Sequence, residues 1–120
     1  MYDDIVEKII ANPDGGTESL VTGQMPTAGY LVGGAAPSLV FQDAAQVRHY
    51  PDLVDAYLAN IAYGGATLVG WWTDPETGKV HLDVVTWHAS EITAGEQATL
   101  RGEIAYRDVA GQCDVRTEAV

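Results

Sequence analysis

Cysteine is almost missing from this 120-residue chain: Cys113 stands alone, so no intrachain disulfide can form and the fold asks for no oxidising compartment. Phenylalanine occurs once, and only 6 Lys and Arg face 17 Asp and Glu, a formal net charge of −11. Repulsion from phosphate argues against direct binding of nucleic acid or of anionic membrane surfaces, and leaves neutral or basic partners. No stretch approaches the ~20 consecutive apolar residues that span a bilayer. The opening residues, MYDDIVEKII, are acidic and lack the apolar core and small-residue cleavage site of a signal peptide. These absences together predict a soluble, cytoplasmic protein.

What is present is ordinary for a packed domain: 47% hydrophobic and 19% charged residues, far from the composition of disordered chains. The length suits a single domain, residues 1–120, that buries roughly two-thirds of its unfolded surface. The acids are spread over both halves, so their simplest role is to keep the surface solvated.

All three tryptophans fall between Ala66 and His88. Two runs, Thr67 to Thr73 and Val80 to Trp87, are rich in β-branched and aromatic residues and are split by Asp74-Pro75-Glu76-Thr77-Gly78-Lys79. Asp74 can cap that turn, Pro75 presets φ for a type I turn, and Gly78 accepts a left-handed φ, so a β-hairpin is predicted. With Asp74 opposite Lys79, Trp71 faces Leu82, Val69 faces Val84, Trp72 faces His81 and Gly70 faces Asp83. One surface of the hairpin is then Val69, Trp71, Val80, Leu82 and Val84, a good core. The other mixes greasy and polar groups: Leu68, Trp72, His81, Asp83, Val85 and Trp87.

Elsewhere, Ile5, Val6, Ile9 and Ile10 make the stripe of a short helix behind Asp3-Asp4, which Pro13 stops. Asn12 to Gly16 and Gly23 to Thr27 read as loops. Ala28 to Gly34 and Ser38 to Phe41 read as a second hairpin around Gly33-Gly34-Ala35-Ala36-Pro37. Pro51 opens the best helical pattern (Leu53, Val54, Tyr57, Leu58, Ile61), ended by Gly64-Gly65, with a turn before it from Asp43 to Tyr50. Ser90 to Arg101 is a weaker helix capped by Ser90 or Thr93 and ended by Gly102. Ile104 to Asp108 and Cys113 to Thr117 suggest a third hairpin. The predicted class is α+β: one antiparallel or mixed sheet built from hairpins, with two to three helices on one face and the other face partly wet.

Chemistry is harder to find. His81 and Asp83 alternate onto one face and could orient an imidazole, yet two polar residues on a solvated sheet explain them as well. They and His88 lack the ligand number and spacing of a zinc site, so no metal is expected. Cys113 has acidic neighbours, Asp108 and Asp114, which oppose a reactive thiolate. Ser38 lacks the Gly-x-Ser-x-Gly elbow, and the glycine pairs match neither the dinucleotide fingerprint nor a P-loop, so no cofactor is expected.

The segments Tyr30 to Phe41, Gly70 to Val85 and Gly102 to Asp108 resemble small uncharacterised proteins of actinobacterial phages, plasmids and genomic islands. The resemblance covers about a third of the chain, rests on turns and strand cores, and implies a mobile-element accessory protein without an active site to transfer. The residues point first to a protein-interaction protein whose candidate face is Leu68, Trp72, His81, Asp83, Val85 and Trp87, with a neutral or basic protein, or a second copy of the chain, as partner. Two alternatives stand beside it: an acidic DNA mimic that inhibits a nucleic-acid-binding protein, against which the longest acidic run is only Asp3-Asp4; and a small enzyme or ligand binder using His81 and Asp83.

Overall fold

The computed structural model describes residues 3–22, 24 and 26–117, the side chains of residues 3 and 4 excepted. The expected acidic charge at the start of the first helix and part of the expected 23–27 loop lie outside the described residues. Chain order is α1 (Asp3–Ala11), β1 (Gly15–Ser19), β2 (Tyr30–Val32), β3 (Leu39–Phe41), α2 (Ala44–His49), α3 (Pro51–Tyr63), β4 (Leu68–Thr73), β5 (Val80–His88), α4 (Glu91–Leu100), β6 (Ala105–Asp108) and β7 (Cys113–Arg116). All strand pairings are antiparallel in one sheet, ordered β1-β4-β5-β2-β6-β7, with β3 also on β5. The fold is α+β.

The β4–β5 hairpin has the register its turn chemistry demands: Trp71 pairs with Leu82, Val69 with Val84, Trp72 with His81 and Gly70 with Asp83. Asp74 caps the turn by accepting from the Glu76 amide at 2.8 Å, and Gly78 has φ +74°. Val69, Trp71, Val80, Leu82 and Val84 are all buried. Onto them pack Ile5, Val6 and Ile9 of α1, Val47 of α2 and Val54 and Leu58 of α3. Each such side chain, fully buried, contributes about 1.5–3 kcal/mol of transfer free energy. Asp43 caps α2 by accepting from the Gln46 amide at 2.9 Å, and Pro51 occupies the first turn of α3.

Further along the same face, Val32, Tyr106 and Val115 receive Ala94 and Ala98 of α4. Ser90 is the cap of α4, accepting from the Thr93 amide at 3.5 Å, and Gly102 closes the helix at φ +72°. Among the described residues four helices, rather than two or three, therefore lie on one face of the sheet.

The expected hairpin of residues 28–41 does not form. β2 and β3 pair with β5, not with each other: Leu39 to Phe41 lie against Leu82 to Val80, and Tyr30 to Val32 against His88 to Thr86. They are two pieces of one edge, separated by a detour through residues 33–38. The reason is local. The Asp83 carboxylate accepts from the Gly34 amide at 2.9 Å, and Arg101 Nη1 donates to the carbonyls of Val32 and Gly33, each at 3.1 Å, so side chains take the backbone groups a hairpin turn would have used. Ala35 returns to the edge by donating to Val84 O at 3.2 Å.

β1 also departs from expectation, because Gly15-Gly16, read as loop, is strand. Its GGTES sequence carries no apolar alternation, and it is strand because β4 supplies its partner over five residue pairs. Gly16 sits opposite Trp71, whose indole lies where a Cβ at position 16 would be, and the Trp71 ring N–H donates to Asn12 O at 2.9 Å.

Candidate functional site

Among the described residues no helix lies on the sheet's second face. Pairing partners point to the same side of a sheet, so the registers define rows across it: Gly15, Trp72, His81 and Val40; Thr17, Gly70 and Asp83; Leu68 and Val85; Trp87, Leu31, Arg107 and Asp114. Residues of β1 (Gly15 to Thr17) and of β6 and β7 (Ala105 to Arg107, Asp114), near opposite edges, line one trough of about 920 Å³ with Trp72, Asp83 and Val85 between them. Gly70 contributes no side chain to the trough floor; a Cβ there would lie 2.8 Å from Val85 Cγ2.

The six residues singled out by sequence divide into three groups. Leu68 and Val85 are buried in a small cluster with Leu31, covered by Val109 from the β6–β7 turn. The two outer tryptophans are half-exposed, at 45% for Trp72 and 47% for Trp87. Trp72 stacks on His81, with ring centroids 4.4 Å apart and planes inclined by 10°. Trp87 bends back over Gly29, whose φ is +84°, and its ring N–H donates to Ala28 O at 2.8 Å. The third group is Asp83 alone, turned toward Gly34. His81 and Asp83 thus share a face and engage different partners, and no hydrogen bond joins them among the described residues. A scan of known protein families, of curated proteins and of solved structures finds nothing similar to this chain.

The electrostatics of the trough are one-sided. Among the described residues Asp14, Asp83, Glu103 and Asp114 line it against one cation, Arg107, which is held by Asp114 at 3.3 Å. Glu103 is a residue that sequence reasoning missed. It follows α4 in an irregular stretch and lacks any motif; what brings it in is the close approach of Gly33-Gly34. A Cβ on Gly33 would overlap Asp83 Oδ2 and lie 3.0 Å from Glu103 Oε1. Burial pushes the Asp83 carboxyl up from its ordinary value, while the Gly34 and Val84 amides, the Ser38 hydroxyl and the Arg101 guanidinium pull it down. Glu103 is also raised, by burial first and then by the Asp83 charge, with Arg101 opposing.

Among the described residues no group of three or more His, Cys, Asp or Glu side chains could hold a metal ion. His88 lies on the helix-covered face, where Thr86 Oγ1 meets its Nε2 at 2.8 Å. Cys113 is exposed at the β7 edge, opposite Asp108. No helix among the described residues is long and apolar enough to cross a membrane.

Proposed function

We propose that the protein is an acidic interaction module that receives a basic segment of a partner protein along the trough of its open sheet face. The observation that carries this reading is the trough itself: a concave surface lined, among the described residues, by four carboxylates and the half-exposed Trp72, with its basic residue Arg107 already paired. An indole beside carboxylates suits guanidinium and ammonium groups, which gain from the ring's π-face and from the acidic field together. The partner's side chains, rather than catalysis, would be the business of this face, since His81 is stacked on Trp72 and no hydrogen bond links it to Asp83.

Calorimetric titration with an arginine-rich nonapeptide, and with its glutamate-rich counterpart, tests the reading. The basic peptide should bind saturably, weaken as salt shortens the ~10 Å screening length of 0.1 M solution, and lose affinity with Trp72→Ala or Asp114→Asn. Asp52→Asn, on exposed α3, should leave binding unchanged. Equal loss from Asp52→Asn and Asp114→Asn would reduce the effect to net charge and refute a defined site.

A further inference from the structure

Three charged side chains from separate parts of the chain meet at the dipeptide Gly33-Gly34. Asp83 comes from β5, Arg101 from the end of α4, and Glu103 from the approach to β6. Their arrangement is unusual in what it leaves undone. Arg101 spends Nη1 on the carbonyls of Val32 and Gly33, and no ion pair joins it to Asp83 or Glu103 among the described residues. Asp83 Oδ2 accepts from the Gly34 amide, whereas the buried Oδ1 makes no hydrogen bond of good geometry, the Ser38 hydroxyl and the Val84 amide acting on the carboxyl without closing one. Glu103 Oε1 closes on the same spot, since Gly33 has room for no Cβ between the two carboxylates. Two like charges are thus packed together beside a cation that serves the backbone instead.

We propose that Asp83 and Glu103 are a proton-sharing carboxyl pair, and that the proton they take up on mild acidification relieves their repulsion at the Gly33-Gly34 junction and lowers the negative charge of the trough. The proton relieves the repulsion between the two carboxylates that converge on Gly33, as carboxyl pairs at close range cannot both ionise freely. The direction of both groups' titration, upward through burial, accords with this geometry. Other groups around the pair do not supply that proton. Tyr57 of α3 donates its hydroxyl to Pro37 O and is itself raised, by burial and then by the Asp83 charge. His88 is held down by burial and Arg101; His81 is stacked on Trp72; Arg107 is on Asp114. The consequence for the trough rests on its proposed role: a basic segment would be held at neutral pH and loosened in acid.

The titration of both side-chain carboxyl carbons and of the Gly34 amide by NMR tests the pair without any partner. Asp83, Glu103 and Gly34 should report a common first step above the ordinary carboxylate range, and in Glu103→Gln the Asp83 step should move down and become single. Independent single steps at ordinary carboxylate values, or an Asp83 step unmoved in Glu103→Gln, would overturn the proposal; Asp83→Asn provides the reciprocal measurement on Glu103. A second arm measures the arginine-rich peptide at pH 7.5 and pH 5 in a His81→Gln background, which removes imidazole charge. Affinity should fall in acid by about tenfold for each pKa unit that peptide binding takes from the pair, and should lose this dependence in Glu103→Gln. A common step by NMR with no peptide bound at either pH would uphold the pair and defeat the docking reading alone.

Discussion

Gly16 and Trp71 show how far one missing side chain governs this chain. The indole of Trp71 lies flat across Gly16 and reaches Asn12 O, so β1 can lie against β4 only while position 16 carries hydrogen. Gly16→Ala should destabilise by about 1–3 kcal/mol, the usual cost of forcing a methyl into a filled core, and the near-ultraviolet dichroism of Trp71 should change with it; an unchanged denaturation midpoint would be incompatible with this packing. Lys8 and Glu18 make a second point. Glu18 is 2% exposed on β1 and Lys8 of α1 forms an ion pair with it. Removing the cation by Lys8→Met strands a buried carboxylate, and because Lys8 is half in solvent the expected loss is about 2–3 kcal/mol rather than the ~3–5 of a fully buried pair. Urea denaturation of the two variants measures both.

Among the elements, α4 is built inside out. Its alanines, Ala94 and Ala98, face the sheet, and its large residues Ile92 and Leu100 stand in water at 75% and 79% exposure. Small residues let the helix sit close to Tyr106, whose hydroxyl donates to Glu91 at 3.1 Å. Ala98→Leu should therefore cost about 1–3 kcal/mol by overpacking, while Leu100→Ala should stay within about 0.5 kcal/mol; the reverse order would mean that α4 docks by its other face. A helix with this pattern is legible in sequence only through its cap and its terminal glycine, which is why Ser90 and Gly102 marked it although apolar spacing did not. The β4–β5 hairpin lies at the other extreme. There the turn residues and the alternation agree, and register and core followed from them down to the residue pair, while whether a helix covers the second face did not. β1 and the split β2/β3 edge were illegible for one physical reason: their pairing is dictated by distant groups, Trp71 in one case and Asp83 with Arg101 in the other. The candidate face was therefore readable along β4 and β5, and Glu103, brought in by tertiary contact, was not.

At the level of the whole molecule, the pH dependence of stability combines groups of opposite sign. Asp83 and Glu103 titrate above their ordinary values when folded, so their contribution is full in acid and is lost as pH rises through those raised values. His88 titrates below its ordinary value, so its contribution is present above that value and lost as pH falls through it. Thermal melts of Glu103→Gln should consequently show a higher Tm than wild type at pH 8, where the like charge is relieved, and a smaller gain at pH 5, since the pair takes up its proton as pH falls. A Tm lowered equally at both pH values would mean that Glu103 serves packing alone.

The position of β5 has a further consequence for how the chain comes apart. Its first three residues hold β3, its last three hold β2, and its other edge holds β4, so the α1–α3 core and the α4 core are built on one continuous strand. Amide hydrogen exchange should then be slowest along Val80 to Thr86 and should give one common opening free energy for both cores. Two separate exchange plateaus would mean that the halves breathe independently. With one common exchange step, β5 would make the molecule a single cooperative unit, and the trough on its far side would keep its shape only for as long as the whole chain is folded.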